Sequence, residues 1–439
     1  MNSRTVLAAA ACITLGACSS GHDDFDKSTQ YGPDPKLPEP SRALLPRMNV
    51  SKVVGWAPGE TPAVPQGFKI EAIATGLSNP RNVYPLANGD LLVVESKKDA
   101  KEPLERPKRK VMDWIEAKAH GGSSNGPSNR ILLLRDSNGD GKPDAQSVLI
   151  DHLDSPFGVA LVDDALYVAD TDAVLRFPFK VGDTQVGGEA TKVVDLPAGA
   201  INHHWTKSLA ASPDGSKLYV GVGSNSNILE RGPGEEVNRA DILEVDPKTG
   251  AFDVFAKGLR NPNGLTYYPR SDVLWTVVNE RDELGPDLVP DYMTSVKRGA
   301  FYGWPYSYWG QHEDARVRPQ RPDLVKAAIK PDYGLSSHVA PLGLAFYTGG
   351  SFPAQFKGGA FIGEHGSWNR PERNGYKVVF VKFENGKPVG QPMDFVTDFL
   401  KGDGARGRPV GVAVDKTGAL IVADDVGNTV WRVTPSATG

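Results

Sequence analysis

Six copies of one strand–turn–strand phrase, a composition rich in turn formers, and terminal segments able to pair with each other predict an all-β fold: a six-bladed β-propeller of antiparallel four-stranded blades. The 439 residues include 48 Gly and 35 Pro with 39% hydrophobics, which suits many short strands and disfavours long helices. A net charge of −4 gives no electrostatic ground for a nucleic-acid partner.

The chain opens with "MNSRTVLAAAACITLGACSS", one basic residue followed by an apolar run too short to span a bilayer. It closes on Leu15-Gly16-Ala17-Cys18, which resembles the lipobox of bacterial lipoproteins. Residues 1–17 are therefore expected to be a signal peptide, with Cys18 lipidated and the product exported to the periplasm on a membrane anchor. Both cysteines, Cys12 and Cys18, lie here, so the processed body has no internal disulfide. Residues 18–66 are polar and proline-rich and read as a disordered tether, leaving 67–439 for the propeller.

The repeated phrase is clearest in "GLSNPRNVYPLANGDLLVVES" (76–96), "LDSPFGVALVDDALYVAD" (153–170) and "GRPVGVAVDKTGALIVADD" (407–425). It recurs at 202–224, at "GLRNPNGLTYYPRSDVLWTVVNE" (258–280) and, more loosely, at 340–367. Each copy sets two β-forming runs around a tight turn and ends its second run near an acid or glycine. The final "NTVWRVTP" is able to pair with the opening "FKIEAIAT" and close the ring. Two insertions interrupt the rhythm: 97–130, with a helical pattern in "VMDWIEAKA", and the aromatic 282–322, expected to build a substrate pocket. "DSNGDGKPD" (136–144) has the first ligand positions of a calcium loop but Ser147 at the twelfth, and reads better as a hairpin turn.

In a propeller the turns leading into the innermost strands converge on one face. Here they carry Asn202-His203-His204, Arg260-Asn261-Pro262-Asn263 and Arg406-Gly407-Arg408, and the fifth copy ends in Glu364-His365-Gly366-Ser367-Trp368-Asn369-Arg370. Several arginines aimed at one cleft are costly unless paired, and a bound polyanion resolves that cost.

"GLRNPNGL", "NERDELG", "YGWPY", "GEHGSWNR" and "RGRPVGVAVDKTGALIVADD" together resemble the soluble sugar dehydrogenases dependent on pyrroloquinoline quinone (PQQ), most closely their sorbosone-dehydrogenase-like branch. The resemblance runs from about Phe68 to Pro435. It implies PQQ lying over the axis with Ca2+ bound to it, and an aldose or sugar-derived aldehyde as substrate. By its motifs His204 is the general base, with His203 as rival, and Arg260 polarises the quinone. Asn261, Asn263, Arg406 and Arg408 match cofactor contacts, and His365, Asn369 or Arg370 takes the place of the family's lysine. The family's calcium turn is displaced here, so Glu280, Asp282 and Asp287 of the oxygen-rich "NERDELGPD" are the candidate metal ligands. A respiratory quinone or cytochrome is the expected electron acceptor. The competing functions are a calcium-dependent propeller lactonase and a non-catalytic binding module; converging arginines favour the dehydrogenase.

Overall fold

The computed structural model describes residues 25–41, 48–98 and 128–436. The signal segment, Cys18 and most of the first insertion, including "VMDWIEAKA", lie outside the described residues. Among the described residues, six antiparallel sheets of four or more strands follow one another along the chain. Their first strands are Pro80–Pro85, Gly158–Val162, Lys207–Ala211, Pro262–Tyr267, Pro341–Phe346 and Pro409–Val414, one from each repeated phrase. Each first strand contacts the next and the sixth contacts the first, so the sheets surround one axis in a β-propeller-like arrangement. The ends of the body meet as the sequence predicts. Phe68–Ala74 pairs with Thr429–Pro435, Ile70 opposite Val433, and completes the sixth sheet.

The apolar runs explain this arrangement. In all six sheets the second strand, such as Leu91–Glu95 or Leu420–Asp424, is buried at every residue. A strand's side chains alternate between its two faces. Leu92 and Val94 pack against Val159 and Leu166 of the second sheet, whereas Leu91 and Val93 pack against Ile421 and Ala423 of the sixth. A strand sandwiched between two neighbouring sheets has no wet face, so it reads as continuous rather than alternating. Near the axis the first strands crowd together. A Cβ on Gly343 would lie 2.2 Å from the Val410 carbonyl oxygen, which is why the phrase keeps a glycine there.

The acids that end the second strands pin the axial turns. Glu95 accepts the Ser78 N–H at 2.5 Å, and Asp424 accepts those of Arg408 (2.7 Å) and Gly427 (2.8 Å). In the fourth copy the segment 280–291 supplies this service through Asp291, which accepts from Glu280 N and Ala340 N, both at 2.8 Å. Glu364 is then left fully buried with neither carboxyl oxygen partnered among the described residues.

Two expectations are corrected and a third holds. The tether is not disordered where it is described: residues 25–41 and 48–66 pack on the body. Tyr31–Gly32 pairs with Tyr333–Ser337, and Trp56 packs on Phe399 and Trp431 and donates to Asp424 at 2.7 Å. Composition hid this because the strap is held by single anchors such as Trp56 and Gln30 rather than by an apolar pattern. Secondly, the insertion 282–322 reaches the cavity described below through Asp282, Glu283, Asp291 and Arg316, and not through the aromatics of "FYGWPYSYW". Tyr302, Tyr308 and Trp309 are buried in the apolar cluster between the third and fourth sheets, and Trp304 donates to Asn227 O at 2.9 Å. The turn expected at 136–144 is present and closed on itself: the Asp136 carboxylate accepts from the N–H groups of Gly139, Asp140 and Gly141.

Burial pushes the Glu364 pKa up to about 8. A raised folded-state pKa means that its contribution to stability is fully present below the ordinary carboxylate value and is lost as pH rises through about 8. Glu364→Gln should therefore raise the melting temperature at pH 9 by roughly 2–5 °C and change it little at pH 4, as scanning calorimetry would show.

Candidate functional site

The turns into the third and fourth first strands, and the segments after the fourth and fifth second strands, enclose a cavity of about 400 Å³. His203, His204, Arg260, Asn261, Glu280, Asp282, Asp291, His338, Trp368 and Asn369 are among its lining. His204 is held from behind: its Nδ1 lies 2.7 Å from the Ser224 carbonyl oxygen and 3.1 Å from Ser224 Oγ. A carbonyl only accepts, so Nδ1 carries the proton and the Nε2 lone pair is the basic one. The His203 ring meets it edge-on at 4.7 Å.

Arg260 is the hub of the opposite wall. Nη1 donates to Glu280 O (2.6 Å) and Asn279 O (3.3 Å), and Nη2 donates to Asn227 Oδ1 and Asp282 Oδ2, both at 3.0 Å. Asp282 also accepts from Asn369 Nδ2 at 2.7 Å. His338 donates from Nε2 to Gly285 O (3.1 Å) and its Nδ1 faces Asn369 Nδ2 at 3.2 Å. Four buried polar atoms of this lining have no partner among the described residues: Arg260 Nε, Asn261 Oδ1, Glu280 Oε1 and Asn369 Oδ1. Buried groups of this kind are costly unless a ligand or water meets them.

The charges follow from burial. Burial, reinforced by Arg260 and His203, drives the His204 pKa well below the ordinary histidine value, so its imidazole is neutral. Burial also raises Glu280 to about 7 and Asp291 to about 6. Burial opposes ionisation of Asp282 as well, but Arg260 and then His338 outweigh it and hold that carboxyl below the usual range.

Of the candidate site residues singled out from sequence, His203, His204, Arg260, Asn261, Glu280, Asp282 and Asn369 meet here, and the rest do not. Arg408 is buried away from the cavity, donating from Nε to His365 O (2.9 Å) and from Nη2 to Gly366 O (2.8 Å). Arg406 turns elsewhere, over the Trp56 ring at 5.5 Å and 3.7 Å from Glu60. The two therefore do not form a joint anion clamp; the strap that was expected to be disordered takes up one of them. His365 is bound to Asp425, which also holds Arg81 at 2.6 Å, and burial followed by Arg408 lowers its pKa to about 4. Asn263 lies under the floor, bonded to Asn261 O at 3.2 Å and Thr206 Oγ1 at 3.3 Å. Arg370 and Asp287 pair with each other at 2.6 Å, which removes Asp287 from the candidate metal set. No group of three or more His, Cys, Asp or Glu among the described residues is arranged to hold a metal.

Sequence reasoning missed Asn227, Asp291 and His338. "SNSN" (224–227) stands where other copies end in an acid, and that departure was a legible signal. His338 lies just before the loosest copy and carried none.

A lowered histidine pKa favours folding above the ordinary value of 6.5, and this stability falls as pH drops below it. The His204 imidazole should show no NMR titration between pH 8 and 6, and Arg260→Gln should move its pKa back upward. Gly223 lets this wall form: a Cβ there would lie 2.5 Å from both Asn261 Oδ1 and His204 Cβ. Gly223→Ala should cost roughly 1–3 kcal/mol in urea unfolding and shift the His204 ring resonances.

Aldose sugar dehydrogenase YliI of Escherichia coli (strain K12) is 25% identical over 277 residues, 58% of this chain and 68% of that protein. The holo form of the pyranose dehydrogenase PQQ domain from Coprinopsis cinerea superposes with a TM-score of 0.68 at 20% identity, covering 88% of this chain and 100% of that one. A calcium structure of Trichoderma reesei carbohydrate-active enzymes family AA12 gives 0.68 at 20% identity, over 85% and 97% of the two chains. These structures share the fold of the present chain. Residues 60–430, nearly the whole body, match the family described as Domain of unknown function (DUF7133), and the chain belongs to that family.

Proposed function

We propose that the protein is a PQQ-dependent oxidoreductase that oxidises an aldose or a sugar-derived aldehyde on a six-bladed propeller, each observed sheet being one blade. The observation that carries this reading is the neutral, tautomer-locked His204 facing the same cavity as Arg260. The relatives' names support it: aldose sugar dehydrogenase by sequence, a PQQ domain and a calcium structure by fold. We also propose an exported protein, lipid-anchored at Cys18, passing electrons to a respiratory quinone or cytochrome.

The residues present offer unpartnered donor atoms to both groups. Arg260, with Nε unpartnered, and Asn261 would hold the quinone. Glu280 and Asn369, each with an unpartnered buried oxygen, supply hard donors for calcium beside Asp282. The quinone, when bound, supplies the acceptor for a hydride. His204 then accepts the substrate's hydroxyl proton at Nε2, while Ser224 O holds the ring's orientation and takes part of the positive charge that forms. Arg260 is already bound on both Nη atoms, so it presents a fixed charge that needs no reorganisation as negative charge develops.

One observation favours a second reading. Three of the four unpartnered atoms are oxygens, of Asn261, Glu280 and Asn369, and a calcium-dependent lactonase would use such a set. The full chain, strap included, separates the two when supplied with PQQ and calcium and assayed for dye reduction across aldoses and aldehydes. Quinone-dependent reduction, lowered by about 10²–10⁴-fold in His204→Ala, supports the dehydrogenase. Lactone hydrolysis with calcium alone, and no quinone binding, overturns it.

A further inference from the structure

We propose that the N-terminal strap, residues 25–41 and 48–66, is a positioning element for the cavity and that Gln30 is its central residue. Gln30 has no exposed surface. Its Nε2 donates to Asp287 O at 2.5 Å, and its Oε1 accepts from Ser337 N (3.2 Å), Ser337 Oγ (3.0 Å) and Ser336 Oγ (3.2 Å). One buried amide thus joins the segment that follows Asp282 to the segment that leads into His338. Those two segments are joined on the cavity side as well, by His338 Nε2 on Gly285 O.

The segment under Gln30 needs such a hold. Ser336, His338 and Ala340 have φ values of 70°, 60° and 53°, a left-handed conformation that side chains disfavour and that persists only where surrounding contacts over-determine it. The rest of the strap grips the same two walls. Ser41 N donates to Leu284 O at 2.9 Å. Asn49 N donates to Trp368 O at 2.9 Å, and its Nδ2 donates to Pro371 O at 2.7 Å, on either side of Asn369.

No strap residue lines the cavity, so the strap acts through Asp282, His338 and Asn369 rather than on a ligand. The fourth sheet has its four strands without it, and Tyr31–Gly32 adds only a two-residue edge. All the side-chain hydrogen bonds of Gln30 go instead to the segments carrying the cavity groups. The inference holds for whichever ligand the cavity takes.

The test is amide hydrogen exchange on the full chain, comparing wild type with Gln30→Ala and Gln30→Glu. Gln30→Ala should exchange about tenfold faster or more across 284–289 and 336–341, with the first two sheets (80–195) unchanged. Gln30→Glu keeps an acceptor but regains a donor only when its carboxyl is protonated. It should match Gln30→Ala at pH 8 and return toward wild type at pH 5, each compared with wild type at the same pH. The His338 ring resonances should follow the same pattern of loss and rescue. Faster exchange spread evenly over all six sheets would overturn the proposal, since the strap would then be general ballast. So would unchanged exchange at 284–289 and 336–341.

Discussion

Burying a strand on both faces requires a neighbouring sheet on each side, and around an axis that requirement repeats until the ring closes. The six fully buried second strands meet it, odd and even residues feeding separate apolar clusters. From it follow the glycines of the first strands, where backbones approach too closely for a Cβ, and the pairing of Phe68–Ala74 with Thr429–Pro435. It also confines freedom to the strand ends. The apolar strands leave no room there for unsatisfied polar groups, so acids such as Glu95 and Asp424 are used to pin the turns.

Where the pinning scheme is altered, the cavity appears. The third copy replaces its terminal acid with "SNSN", and Asn227 from that run bonds both Arg260 and the Asp282 backbone. The fourth copy runs on into 280–291, whose acids face Arg260 on one side and His338 on the other. Low dielectric makes each of these pairings strong and each unpartnered atom expensive. A site assembled in this way has little play, which suits a base such as His204 whose value lies in a fixed lone pair.

The same residues show how far sequence reasoning reached. His204, Arg260 and Asn261 were legible because they occupy equivalent places in a repeat, and the repeat fixes which strand end they stand on. Arg406 and Arg408 occupied such a place too, and their grouping with the cleft did not hold. Arg408 lies beneath the fifth sheet's exit and Arg406 lies on Trp56. A turn position specifies where a Cα sits; the direction of a long side chain depends on which partner reaches it first. Tyr302, Tyr308 and Trp309 went to the core for a related reason: a large apolar surface is buried wherever space remains, and composition does not say where that is.

The sequence by itself determined the number of repeated phrases, the strands they form, the closure of the body and the face on which polar turns gather. All of these depend on short-range periodicity and on apolar runs that have one way to be buried. Only the tertiary structure decided that the proline-rich N-terminal segment is a strap, that His338 joins the site, and that Arg370 and Asp287 satisfy each other outside it. Those outcomes rest on single polar contacts between residues far apart in the chain, such as Gln30 with Asp287 and Ser337. Such a contact leaves no periodic trace, because its energy depends on geometry that exists only after the sheets have packed.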